Sequence, residues 1–417
     1  MRILKLTAKT EAALLKPRQT HDREAYRVAA RIIADLQRRG DRALAEWSQK
    51  LDGTNVAKAG LWISKEEMAT ARTRVDRTFL RAVELAAKNV RRVAQQQLPR
   101  EWKMTVQAGV TIRQIIRPLD SIGCYIPGGR FALLSTLVMT VVPAQVAGVP
   151  RLVAVCPRPN DALLAAADLL GITQFARIGG AQAIAALAYG TERIAAVEKI
   201  CGPGNRFVTA AKQIVSPDCA IDMAAGPTEV VLLADSGNAA WVAADLLAQA
   251  EHAPDAGSYL VTTSPAFAAK VEQEVSKQLR ALPKTNPAHQ SIRKTGAIVL
   301  ARSSKLACEF VNHFAPEHLS LPRNRPELLS KIRSSGTIFL GPYGAQPFGD
   351  YASGSNHVLP TGGWARRRGG LSTADFVKCI TVQEINSAGA CSLSSAVETL
   401  AKAEGLLAHA RASEVRR

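Results

Sequence analysis

The sequence predicts an α/β protein built on parallel sheets. Three observations carry this. From about Val110 onward, short β-branched runs alternate with Ala-rich stretches of helical period, and such alternation lays strands side by side under covering helices. The runs are too many for one small sheet, so two α/β units are expected. At 417 residues and 47% hydrophobic, the chain is long enough for more than one core.

The elements follow in order. Residues 1–20 read as a polar N-terminal arm containing Pro17. From His21 to Leu51 apolar residues recur at helical spacing (Ala25, Val28, Ile32, Leu36, then Ala43, Leu44, Trp47), and Gly40-Asp41 divides the stretch into two helices. Lys65 to Leu98 predicts a second amphipathic pair. Strands are predicted at Thr111–Ile116, Leu152–Val155, Gln174–Arg177, Ala196–Ile200, Glu229–Leu233, Tyr259–Thr262, Gly296–Leu300 and Thr337–Leu340. Helices are predicted at Leu133–Ala147, Ala162–Leu170, Asn205–Val215, Ala239–Glu251 and Ala266–Leu279. The last 45 or so residues read as helical, Leu371–Phe376 and Ser392–Ala410, forming an extending arm or small domain.

Composition narrows the function classes. No apolar run approaches the roughly 18 residues of a membrane span, and Met1-Arg2-Ile3-Leu4-Lys5 opens no secretory signal. The seven cysteines are scattered without Cys-x-x-Cys, which points to reduced thiols of a cytoplasmic protein and away from a thiolate zinc site. The net charge of +18 is spread along the chain with no aromatic-interleaved basic motif. It reads as a solvated basic surface that favours acidic small molecules; no nucleic-acid or membrane partner is expected.

Polar chemistry concentrates in three stretches. These are Ala315-Pro316-Glu317-His318, the loop from Gly349 to Thr361 with Asp350 and His357, and Gln249-Ala250-Glu251-His252. The chain has only seven histidines, and grouping them with Asp, Glu and Gln points to a metal or proton-transfer site. Gln249 and His252 stand three apart on a predicted helix and leave one face. With Asp350 and His409 they offer one amide oxygen, two imidazoles and a carboxylate, a mixed set that suits an open Zn²⁺ site. Taken singly, Gln249 is equally a surface helix residue and His409 a cation favoured near a helix C-terminus. His318 beside Glu317 suits general-base chemistry. On a strand the two would point to opposite faces; on a turn after Pro316 they could share a substrate, and as a cap they would do neither.

Glycine-rich turns offer a nucleotide cleft. Tyr125-Ile126-Pro127-Gly128-Gly129, Gly179-Gly180-Ala181-Gln182 and Cys201-Gly202-Pro203-Gly204-Asn205 each follow a predicted strand and open a helix. None completes Gly-x-Gly-x-x-Gly. Each alone is a tight connection; three at equivalent strand ends favour a cleft.

These segments, together with Gly180 to Ala188 and Gly226-Pro227-Thr228-Glu229-Val230, resemble the histidinol dehydrogenases in order from about residue 22 to 412. The resemblance implies NAD-dependent four-electron oxidation of L-histidinol through L-histidinal to L-histidine, the last steps of histidine biosynthesis. It implies one Zn²⁺ on Gln249, His252, Asp350 and His409, His318 as the base in both oxidations, and Glu317 as activator of the hydrating water. Thr228, His357 and Glu404 would contact substrate alongside the metal ligands and His318; Tyr125, Gln182 and Asn205 would line the NAD site. It further implies two incomplete Rossmann-like units, one inserted in the other: residues 21–124 with 230–370 carrying metal and base, and 125–229 carrying the NAD turns. Residues 371–417 would be a helical domain exchanged in a homodimer to complete the partner's site.

Three positions depart from the family pattern. Thr228 replaces the expected Ser, Ala253 the usual Gly, and Gln346 a common acidic residue. Other readings are a paralogue oxidising another primary alcohol such as a sulfonated diol, a zinc hydrolase using Glu317 or His318, and, from charge alone, a nucleic-acid-binding module. Glu404 and His409 favour a cationic amino alcohol. A thiohemiacetal at Cys124 ranks below the Glu317–His318 mechanism, because nothing in its neighbourhood activates a thiol.

Overall fold

A computed structural model describes residues 1–16, 22–128, 133–224, 226–323 and 325–417. A five-stranded parallel sheet joins β4 (Ser121–Tyr125), β5 (Arg151–Val155), β6 (Gln174–Ala176), β7 (Lys199–Cys201) and β8 (Ala220–Ile221) in the spatial order β6-β5-β4-β7-β8. A six-stranded parallel sheet joins β1 (Arg2–Lys5), β9 (Glu229–Leu233), β10 (Gly257–Thr262), β11 (Ala297–Leu300), β12 (His318–Leu321) and β13 (Thr337–Leu340) in the order β1-β11-β10-β9-β12-β13. Leaving β1 aside, each sheet runs third-second-first-fourth-fifth, the doubly wound order cut short. The six-stranded sheet takes strands from both sides of the five-stranded one in sequence, so one unit is inserted in the other.

Local chemistry explains these elements. The β9 and β13 runs are β-branched and aromatic, and β9 is buried on both faces as parallel sheets require. The helix Leu134–Ala147 is buried almost all round and carries Pro143 in its interior. Arg23–Asp52 is helical on either side of a kink at Gly40, whose backbone is non-helical with a positive φ of 49°. A side chain at Gly40 would meet the Glu192 carboxylate, which accepts the Asp41 N–H at 2.7 Å. The break predicted at Gly40-Asp41 is present and divides the stretch into two helices.

Two expectations are corrected. The N-terminal arm is part of the fold: β1 pairs parallel with β11 and Ala8–Leu15 is helical. Four residues are too few to show a period, and the exposed edge of β11 supplies the pairing; residues 17–21, with His21, lie outside those described. The C-terminal segment is not all helical. β14 (Val377–Ile385) pairs antiparallel along the length of β3 (Val110–Pro118), with β2 (Trp102–Gln107) on the other side. The alternating β-branched residues of Val377–Ile385 take a ladder that only β3, far away in sequence, provides. Beyond it come the helices Ser387–Ala403 and Leu407–Glu414. The helices of residues 23–97 pack on the five-stranded unit: Arg23–Asp52 against Gly180–Tyr189 and Arg206–Val215, Lys65–Thr73 against Asp161–Leu169, and Arg77–Gln97 against Leu134–Ala147. The apolar faces of these helices meet the helices over β4–β7. Among the described residues no helix is long and apolar enough to cross a membrane.

Candidate active site

Thr228 immediately precedes β9, and Glu317 immediately precedes β12. Both stand at the N-terminal edge of the six-stranded sheet, where β9 and β12 are neighbours. Ala315 ends the preceding helix in a left-handed conformation, φ 48°, uncommon for a residue with a side chain, and its N–H donates to the Val311 carbonyl at 2.7 Å. Pro316 then turns the chain into the strand. That turn resolves the question left open by the sequence. Glu317 lies just off the strand, so the Glu317 and His318 side chains converge, with Oε2 and Nδ1 3.6 Å apart.

The pair is held from several sides. Glu317 Oε2 accepts from the Thr228 hydroxyl at 2.5 Å and from the Glu229 N–H at 2.9 Å. The Gln249 amide donates to the Thr228 oxygen at 2.8 Å, so the hydroxyl links Gln249 to Glu317. His318 Nδ1 lies 3.3 Å from the Glu229 carbonyl. A carbonyl only accepts, so Nδ1 carries a proton and Nε2 is the nitrogen left to exchange one. Nε2 has no hydrogen-bond partner and stands 3.4 Å from Asp350 Oδ1. Gln346 donates to the other Asp350 oxygen at 3.1 Å.

Burial and charge set the protonation behaviour. Burial pushes the Glu317 carboxyl up despite His318 and the Thr228 hydrogen bond. Burial pulls His318 down, but Glu317 and Asp350 outweigh it, so its pKa is raised. Burial opposes ionisation of Asp350, and the His318 contact reverses this to leave it lowered. Burial holds His357 down. Its Nδ1 faces the Asp350 carbonyl at 2.9 Å and its Nε2 the Thr136 hydroxyl at 3.2 Å. Thr136 opens the buried helix after β4, so His357 ties the two α/β units together. Thr136 and Glu229 escape sequence reasoning: their partners lie far away along the chain, and neither stands in a polar stretch.

The metal-type residues fall into two groups. The helix Ala239–Ala250 ends before His252, which follows the Glu251 cap; its Nδ1 faces the Ala248 carbonyl at 3.0 Å. That leaves Nε2 available as a ligand with its tautomer fixed by the carbonyl. Gln249 is fully buried and its Oε1 has no hydrogen-bond partner, an orphaned acceptor of the kind a cation satisfies. Gln249, His252 and Asp350 therefore fit an N/O-ligated divalent metal. His409 and Glu404 are exposed, on and just before the last helix. Among the described residues no three His, Cys, Asp or Glu side chains converge as a metal group. A single chain thus does not gather the expected four ligands, because the C-terminal helices pack outward on each other and on β14.

The nucleotide-type residues sit at the C-terminal edge of the five-stranded sheet. Tyr125 ends β4, and its hydroxyl accepts the Gly180 N–H at 3.1 Å. Gln182 is buried, donates to Asp52 at 2.8 Å and leaves Oε1 unpartnered. Asn205 caps the helix after β7 through its side-chain oxygen. β4 and β7 flank the point where strand order reverses, where doubly wound sheets bind ligands. Gly202 must be glycine, because a Cβ there would stand 2.1 Å from the Tyr125 carbonyl oxygen. Gly129 of the first turn lies outside the described residues. Cys124 is fully buried and its thiol is pushed up to about 12 by burial, which leaves it inert as a nucleophile.

Two truncated doubly wound units, with an acid–base pair at their junction, define an oxidoreductase of the dehydrogenase type. Comparison with known proteins agrees. The sequence pattern of the histidinol dehydrogenase family matches residues 15–417. The chain is 44% identical to the histidinol dehydrogenase of Methanothermobacter thermautotrophicus over 388 residues, 91% of each chain. It is 42% identical to that of Neisseria meningitidis serogroup A over 411 residues, 97% of this chain and 96% of the other. The crystal structure of histidinol dehydrogenase from Elizabethkingia anophelis superposes with a TM-score of 0.94 at 35% identity, covering 100% of this chain and 98% of that one. An acetylating aldehyde dehydrogenase from Geobacillus thermoglucosidasius, at 11% identity and a TM-score of 0.50, shares the fold alone. The chain belongs to the histidinol dehydrogenase family.

Proposed function

We propose that this chain oxidises L-histidinol to L-histidine with NAD, in two hydride transfers separated by hydration of the aldehyde. The observation that carries the reading is the convergence of Glu317, His318, Thr228 and Asp350 at the junction of the two units. His318 Nε2 takes the hydroxyl proton as hydride leaves the alcohol carbon, giving the aldehyde. Glu317, its carboxyl raised by burial, takes a proton from the water that adds to the aldehyde, while His318 returns the proton it took to the former carbonyl oxygen and is again a base. His318 then takes a proton of the hydrate as the second hydride leaves. The Glu317 oxygen that does not face Thr228 and Glu229 is the one free to address water.

Gln249, His252 and Asp350 would hold the zinc, which when bound supplies a template orienting the amino group and imidazole of the substrate. His409 would be the fourth ligand and Glu404 a carboxylate for the substrate cation, both from a second copy of the chain. Their exposure, and the absence of a gathered metal group among the described residues, support a homodimer with exchanged C-terminal helices. Thr228 and His357 would contact substrate, and Tyr125, Gln182 and Asn205 the nicotinamide nucleotide. A cytoplasmic location suits the free thiols of all seven cysteines.

NADH yield per L-histidinol tests the reading. Two NADH with no free aldehyde are expected. One NADH with released aldehyde would overturn it, and turnover of a sulfonated diol in preference to histidinol would favour the paralogue.

A further inference from the structure

The six-stranded sheet keeps its acid–base chemistry at the N-terminal ends of its strands. Its opposite edge, where strand order reverses between β9 and β12, is the place where doubly wound sheets bind ligands. The mechanism does not use that edge. It is not filled: a cavity of about 240 Å³ opens beyond β9, and another of about 350 Å³ lies between the helix Ala239–Ala250 and the ends of β12 and β13. The larger is in the size range of small-molecule sites.

The walls of the larger cavity hold unsatisfied polar groups. Asp245, on the helix, has no hydrogen bond or ion pair among the described residues, and burial alone pushes its carboxyl up to about 6. Ser320, on β12, is 2% exposed and its hydroxyl has no partner. A buried hydroxyl such as that of Ser320 is seldom left unmet unless something else meets it, and the half-buried Asp245 faces the same space. At the mouth, Trp241 packs on Tyr343 with ring centroids 5.7 Å apart, yet the rings stay 47% and 78% exposed.

Arg325 and Asp235 are paired, and the Arg323 guanidinium, also in the lining, keeps its charge and is turned onto a neutral hydroxyl. Arg323 donates to the Ser236 hydroxyl at 2.7 Å, and Arg325 pairs with Asp235 and Glu327. Asp235 also accepts from Thr262 and from the Thr263 N–H. A carboxylate at the β9 turn repels phosphate, so this edge is not a second dinucleotide site. What stays open is a carboxylate, a hydroxyl and two aromatic faces. That set complements a cation carrying a flat ring, through charge, hydrogen bonding and stacking.

We propose that this cavity is a second ligand site, distinct from the catalytic one, that takes a small primary amine bearing an aromatic or heteroaromatic ring. The ammonium meets Asp245 and Ser320, and the ring lies against Trp241 and Tyr343. The proposal does not depend on the reaction assigned above.

The test is calorimetric titration of the full-length protein with 2-phenylethylamine. It is run without L-histidinol, itself an amine with a heteroaromatic ring, and repeated on His252→Ala, which alters the catalytic site and leaves this cavity untouched; the binding should persist there. One binding event per chain is expected, weakened at least tenfold by Asp245→Asn and measurably by Trp241→Ala, with Ser320→Ala between wild type and Asp245→Asn. Thermal melts establish that each variant is folded. Absence of binding to the wild-type protein would overturn the proposal, whether the cavity has no affinity or a second chain covers the ring pair. Binding that Asp245→Asn leaves unchanged would overturn it equally.

Discussion

Replacing Thr228 with valine removes one hydroxyl and keeps the volume. In the structure that hydroxyl makes two bonds: it donates to Glu317 Oε2 at 2.5 Å and accepts from the Gln249 amide at 2.8 Å. The first is a charge-assisted bond to a buried carboxylate, a class that contributes about 1.5–3 kcal/mol. Its loss leaves Glu317 oriented by the Glu229 N–H alone and frees Gln249 to turn. At 1.4 kcal/mol per decade, the step that needs an oriented Glu317 should slow by roughly 10- to 100-fold. That step is aldehyde oxidation, where water must be activated. Thr228→Ser restores the hydroxyl and should stay near wild type. The assay is NADH formation by Thr228→Val and Thr228→Ser, first with L-histidinol and then with L-histidinal, each at saturating NAD. If Thr228→Val matches Thr228→Ser on the aldehyde, the hydroxyl does not support Glu317 and the hydrogen-bond chain is structural only.

Other outcomes follow from the same geometry. Glu317→Gln should spare alcohol oxidation and suppress aldehyde oxidation by about 10²–10⁴-fold, whereas His318→Asn should suppress both; equal losses in Glu317→Gln would remove the division of roles. His252→Ala and Asp350→Ala should each lose tightly bound metal, read by elemental analysis of purified protein, with the far-UV circular dichroism unchanged; full metal content in both would refute the ligand assignment. Asp245 has a folded pKa of about 6 against an ordinary 3.8. Its protonated form is therefore favoured by the fold, and its contribution is greatest below the unfolded value and is lost as pH rises through about 6. Asp245→Asn should accordingly raise unfolding free energy by on the order of 2 kcal/mol at pH 8 and little at pH 4, read from urea melts. An equal gain at both pH values would show that the carboxylate is not the cause.

Much of the architecture is written locally. The β9 and β13 runs show their own limits, because β-branched and aromatic residues stand between turn formers and no helix competes for them. Gly40 marks its break because only glycine takes that positive-φ backbone beside Glu192. The three polar stretches likewise announce a site through rare histidines set beside Asp, Glu and Gln. Other features depend on partners that no local pattern names. Arg2–Lys5 becomes a strand only because β11 offers an edge, and Val377–Ile385 only because β3 does. Glu317 and His318 point together because Ala315 and Pro316 place the strand's first residue at His318, one position after the carboxylate. Thr136 reaches His357 because folding stacks the buried helix against a loop more than two hundred residues downstream. The chain's own chemistry thus determined which side chains are available. Tertiary structure decided which of them meet, since register, edge pairing and the packing of one unit on another are set by contacts between segments remote in sequence.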